Sequence, residues 1–146
     1  MKPIAKCPLE EKNHFLTLLI GKCWHEWESR WHYWQCRKCK KRKTYGLSIV
    51  PFDYYRDLSG FQIVKEYMET HMPKVWSKYL DHQNKVEAYK FGSLKGLLNA
   101  ILNLDNFIAY LLEHTEWAYF DYPDYQTGEA RQGKHPALLF AEGKEE

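Results

Sequence analysis

The chain has 146 residues, 45% of them hydrophobic, 16% aromatic and 27% charged, with a formal net charge of +2. That length and apolar content suit one domain with its own core and exclude a disordered chain. No run of eighteen apolar residues is present to span a membrane, and the opening MKPIAKCPLEEK has no apolar signal core, so cytoplasmic residence with reduced thiols is the expectation.

The small net charge hides a polarised distribution. Residues 1–46 carry eleven Lys/Arg against four Asp/Glu, a net +7, whereas residues 104–146 carry three against nine, a net −6. A chain that bound nucleic acid over its whole surface would be basic throughout; this one is basic only at one end.

In chain order, residues 8–22 form the first predicted helix. Pro8 suits a first helical position, Glu10 and Glu11 complement the positive end of the helix dipole, and Gly21 ends the helix. Phe15, Leu18, Leu19 and Lys22 form one flank, with Leu16 and Ile20 beside it, and His14 is expected at the surface or half-buried.

The next stretch, CWHEWESRWHYWQCRKCKKRK at residues 23–43, organises the rest. Cys36 and Cys39 have the spacing of a knuckle, a tight turn that aims two thiolates at one point. Cys23 and His25 are two residues apart, so on extended backbone they share a face. With a hairpin between the pairs, turning at Glu28-Ser29-Arg30, all four converge in a zinc-ribbon-like arrangement. A Cys3His set fills a zinc tetrahedron with no open position, so the expected Zn2+ is structural and supplies folding energy that a short hairpin lacks. Two disulfides, or ordinary buried thiols, are the competing readings of the cysteines. Cys7 and His32 are the alternatives to His25 as fourth ligand, ranked lower because Cys7 is remote and His32 falls on the other strand face.

Six cations surround the last ligand: Arg37, Lys38, Lys40, Lys41, Arg42 and Lys43. They read either as contacts to a phosphate backbone or acidic partner, or as a solvated face that offsets the negative charge of three thiolates. Residues 45–52, interrupted by Pro51, read as an edge strand or loop. Asp57 or Ser59 then caps a helix over residues 60–72 whose stripe is Phe61, Val64, Met68 and Met72.

Residues 74–91 fit either two strands around Asp81-His82-Gln83-Asn84 or a helix opened by Pro73; their aromatic content favours strands. A long apolar helical region follows from Gly92, with a second helix capped by Asn103 or Asp105. Residues 116–125 alternate aromatic and polar positions and read as a final strand. The domain is taken as residues 1–125 and residues 126–146 as a loose tail, whose apolar residues 136–140 dock back.

No nucleophile elbow, phosphate-binding loop, HExxH or dinucleotide fingerprint is present, and no enzyme is expected. The pairs Asp53/Asp57 and Asp121/Asp124 are read as turn and cap residues. His71, His82 and His114 are placed at element ends without partners.

The fold class that follows is α+β, helices packed on a small antiparallel sheet with the ribbon-like hairpin near the N-terminus. A first helix, CWHEW…Cys-x-x-Cys, the loop PFDYYRDL running into GFQIVKEYM, and the late NLDNFIAYLLEH together resemble small phage-encoded proteins of the "phage ABA sandwich" arrangement. Many of these carry a Cys-x-His…Cys-x-x-Cys ribbon, and the likeness covers roughly residues 9–115. The knuckle there is usually followed by glycine, where this chain has Lys40. The resemblance implies an α+β fold without assigned chemistry. Such phage proteins include inhibitors of bacterial defence, anti-CRISPR proteins among them, so it also implies an infected bacterial host and a host protein as partner.

Two function classes follow. In one the chain binds and inhibits a host protein, using the acidic aromatic surface of Trp117, Tyr119, Asp121, Tyr122 and Asp124 as phosphate-and-base mimic. In the other, the basic knuckle binds nucleic acid.

Overall fold

A computed structural model describes residues 4–91, 103–114, 122–123, 130–131 and 133–141. After a single 3-10 turn (Ile4–Lys6), helix α1 (Leu9–Leu19) leads into strands β1 (Trp27–Ser29), β2 (Tyr33–Cys36) and β3 (Arg42–Thr44). Helices α2 (Leu58–His71), α3 (Pro73–Phe91) and α4 (Leu104–Glu113) follow, then the short pair β4 (Tyr122–Pro123) and β5 (Ala130–Arg131), and helix α5 (Pro136–Ala141). The fold is α+β: helices packed with a small antiparallel sheet of order β1-β2-β3.

Helix α1 starts one residue after Pro8, with Glu10 and Glu11 in its first turn. It ends in a Schellman motif. Gly21, at φ 73°, donates to the Leu18 carbonyl (3.0 Å), and the Lys22 N–H donates to the Thr17 carbonyl (3.0 Å). That stop hands the chain to the Cys23 segment in a defined direction. His14, expected near the surface, is buried instead, between the rings of Trp24 (4.6 Å, stacked) and Phe140 (3.9 Å).

Asp57 caps α2, its carboxylate accepting from the Ser59 N–H at 2.9 Å. The expected stripe of Phe61, Val64, Met68 and Met72 is buried. Gly60 is required in the first turn: a Cβ there would lie 2.0 Å from the Tyr54 carbonyl oxygen, so helix and preceding loop touch through bare backbone.

The segment read as two strands is one helix, α3. Val75, Trp76, Tyr79 and Gln83 are buried, spacings of one, four and eight residues that mark a helical face. The turn-like residues Asp81 and Asn84 sit on its exposed side. Trp76 and Tyr79 pack against Phe107 of α4 (5.6 and 4.9 Å), a gain two short strands would not provide. His82 is therefore mid-helix, and its ring meets Tyr110 (5.1 Å) and His114 (5.3 Å), while His71 packs on Tyr67. These histidines have ring partners after all.

Asn103 caps α4, accepting from the N–H groups of Asp105 and Asn106. Tyr55 donates to Asp105 (2.6 Å), which also pairs with Lys12 (3.3 Å), tying loop, α1 and α4 together. In the stretch read as a tail, α5 packs on α1 with Ala137 and Leu138 buried, and His135 Nδ1 accepts from the Ala137 N–H at 3.1 Å. Burial holds the His135 imidazole far below its ordinary value, at about 3, so it is neutral in the fold. The helical region expected at residues 92–102 and most of the strand expected at residues 116–125 lie outside the described residues.

One core cluster joins these helices, centred on Leu16, Leu19, Val64, Met68, Tyr79, Phe107 and Leu111. No residue of β1, β2 or β3 belongs to it. Among the described residues no helix is long and apolar enough to cross a membrane.

Candidate metal centre

The ribbon runs antiparallel throughout, with Trp27 opposite Cys36 and Gln35 opposite Arg42. Its first turn falls at residues 30–32, two residues later than expected, closed by the Arg30 N–H on the Tyr33 carbonyl (2.8 Å). The second turn is the knuckle. Cys36 ends β2, its N–H donates to the Lys41 carbonyl (2.9 Å), and the Lys40 N–H donates back to the Cys36 carbonyl (3.0 Å). Lys40 takes φ 66°, the left-handed conformation glycine supplies more easily, so the turn forms without the glycine. The segment holding Cys23 and His25 lies outside the strands, just before β1, rather than on a strand as expected, and the Arg37 N–H ties it to the knuckle by donating to the Glu26 carbonyl (2.9 Å).

These two anchors bring Cys23, His25, Cys36 and Cys39 together, with one ligand atom of each within 4.8 Å of the others. The Sγ atoms of Cys23 and Cys36 are 3.9 Å apart, and Cys39 Sγ lies 3.3 Å from His25 Nδ1. Tetrahedral zinc with bonds of about 2.3 Å to sulfur and about 2.05 Å to nitrogen sets those edges at about 3.8 and about 3.6 Å. The 3.9 Å separation is far beyond a disulfide bond, and none of the four cysteines, Cys7 included, is in a disulfide. Cys7 lies near Tyr55, away from the group, and His32 is exposed with its ring edge-on to Trp31. The group could hold a metal ion, and its members are the residues singled out by spacing.

Electrostatics within the group favour a cation. Burial, then the neighbouring Cys39 and Cys36 thiols, push Cys23 up to about 12. Burial also opposes ionisation of Cys36, but N–H groups of Cys39, Glu26 and Lys38 and the His25 ring outweigh it and bring this thiol down to about 6. Alone, the group carries one thiolate comfortably and resists a second; a divalent ion removes that repulsion.

The six cations are less available than the sequence suggests. Arg37 pairs with Glu26 (3.7 Å) and Glu28 (3.6 Å), and Lys38 pairs with Glu26 (3.4 Å). Arg42 lies over the Tyr33 ring (4.6 Å); Lys43 lies over the Trp27 ring (5.5 Å) and donates to the Ser48 carbonyl (2.9 Å). Lys40 and Lys41 are exposed. What spacing did not reveal is the apolar character of this end: Trp31 is 85% and Val50 78% exposed, with Leu47, Phe52 and Tyr45 also open to solvent. Trp117, Tyr119, Asp121 and Asp124 lie outside the described residues, and of Tyr122 only the backbone pairing with Arg131 is described.

Fold and site together define a small α+β protein with a Cys3His group able to hold a metal ion. No protein-family model, no curated protein and no solved structure matches the chain.

Proposed function

We propose that the chain is a non-catalytic binding protein in which a structural zinc ion at Cys23, His25, Cys36 and Cys39 holds the ribbon as a rigid docking element for another protein. The observation that carries this is the exposure of Trp31, Leu47, Val50 and Phe52 on the ribbon and the loop after it, beside Arg37 and Lys38 paired with Glu26 and Glu28 and Arg42 over Tyr33. Exposed aromatic and aliphatic anchors on a rigid frame suit a protein partner, whereas a phosphate backbone needs cations free to displace counterions. Four ligands close a zinc tetrahedron and leave no position for a substrate. The likeness to small phage-encoded zinc-ribbon proteins supports a bacterial defence protein as the target and an infected host as the setting.

The test is capture from nuclease-treated bacterial lysate with the zinc-loaded chain. A protein retained by the wild type and lost with Trp31→Ala plus Val50→Ser, zinc content unchanged, supports the reading. Submicromolar binding of duplex or single-stranded DNA at physiological salt, abolished by replacing Lys40, Lys41, Arg42 and Lys43 with Ser, would overturn it in favour of a nucleic-acid module. Elemental analysis of the purified chain is expected to give one zinc per molecule.

A further inference from the structure

Between the ribbon and the helical core lies a cleft of about 450 Å³. Small-molecule sites typically run from about 300 to 1,000 Å³ and combine apolar walls with a few polar groups. This cleft has that make-up. Trp24 and Trp27 come from the ribbon side, Phe52 from the loop, and Tyr54 and Ile63 from the core side. Its charged lining consists of Lys22, Lys41 and Lys43, and among the described residues no Asp or Glu lines it.

The three lysines arrive from two directions. Lys22 follows the stop of α1, Lys41 immediately precedes β3 and Lys43 lies within it. Lys43 is held in place, between the Trp27 ring and the Ser48 carbonyl, with ammonium protons to spare. Elsewhere in the ribbon Arg37 and Lys38 are matched by Glu26 and Glu28; these three lysines line one cleft with no carboxylate in its described lining. Three lysines lining one cleft together with Trp24, Trp27 and Phe52 suit a ligand that is anionic at one end and flat at the other.

We propose that this cleft binds a small phosphorylated aromatic ligand of the nucleoside monophosphate class, the phosphate on Lys22, Lys41 and Lys43 and the base against Trp27 and Phe52. Lysine suits the phosphate as a mobile point charge, and a base stacks on an aromatic side chain whatever its identity. Cys23 and His25 form part of the wall, so the site rests on the metal-held ribbon proposed above; zinc content, measured separately, distinguishes failure of one from failure of the other.

The experiment titrates the zinc-loaded full chain with adenosine 5′-monophosphate, adenosine and inorganic phosphate, read by calorimetry and by quenching of tryptophan fluorescence. The mononucleotide is expected to bind saturably, with adenosine and phosphate each at least about tenfold weaker, because neither engages both halves of the cleft. Lys22→Ser plus Lys41→Ser, and separately Phe52→Ala, are expected to weaken the mononucleotide at least about tenfold with zinc content unchanged. Equal binding of adenosine and its monophosphate, no saturable binding, or binding of an oligonucleotide alone overturns the proposal. So does a lysine variant that loses zinc but not mononucleotide affinity, since those lysines then only offset the thiolate charge.

Discussion

The helices and the ribbon are stabilised by different physics. Helices α1 to α5 share a continuous apolar cluster in which Trp76, Tyr79 and Phe107 interlock and Leu16, Val64, Met68 and Leu111 are sealed from solvent. In the ten strand residues of the ribbon only Cys36 is buried, and its burial is that of a ligand. A three-stranded sheet of three- and four-residue strands has too little apolar contact to offset its backbone entropy. One region is held by area removed from water, the other by bonds to a single centre, so they should fail under different insults.

The largest expected effect separates them outright. Metal removal by a chelator, or Cys36→Ser, is expected to melt the ribbon while the helices persist, since structural zinc contributes about 10–16 kcal/mol in isolated fingers. Hydrogen exchange should show ribbon amides losing protection with the helical circular dichroism signal retained. Collapse of both together would mean the core depends on the ribbon.

The converse perturbation strikes the core. Phe107 is fully buried against Trp76 and Tyr79. Phe107→Ala is expected to cost about 3–5 kcal/mol in denaturant unfolding. Zinc stoichiometry under native conditions should be unchanged.

Acid should act on the ribbon before the core. Metal uptake must displace the proton that burial and its neighbours hold on Cys23 up to about 12, so affinity rises with pH. Cys36 is lowered from 9.0 to about 6; the stabilisation this represents is fully present above 9.0 and is lost as pH falls through about 6. Zinc release followed with a colorimetric chelator is expected to grow at least about tenfold per pH unit lowered, each unit costing at least one displaced proton. Release insensitive to pH would argue against thiolate ligation.

The smallest effect sharpens the comparison at one residue. Lys40 holds a left-handed φ in the knuckle. Lys40→Gly is expected to slow zinc loss and stabilise the ribbon by about 1 kcal/mol, the cost of that conformation for a side-chain-bearing residue. The thermal midpoint of the helical core should not move.

Local chemistry made much of this legible in the chain. The ligand spacing named the four residues that converge, because a Cys-x-x-Cys turn aims both thiols inward and Cys23 and His25 are close enough in sequence to reach one point, although they precede β1 instead of sitting on a strand. The caps at Asp57 and Asn103 and the stop at Gly21 were readable because each satisfies backbone groups within a few residues. The apolar stripe of α2 was readable because it repeats at helical spacing.

Other features depended on contacts between distant segments. Residues 74–91 carry aromatic content that favours strands on local pattern; the meeting of Trp76 and Tyr79 with Phe107, some thirty residues away, favours the helix. His14 is buried because Trp24 and Phe140 close over it, and no local pattern announces that. The basic run left two readings open because sequence counts charges without their partners; folding set Glu26 and Glu28 against Arg37 and Lys38 and put Lys41 and Lys43, with Lys22 from outside the run, in the lining of one cleft. Short-range bonding geometry is written in neighbouring residues, whereas burial and charge pairing are properties of surfaces that exist only once the chain has closed on itself.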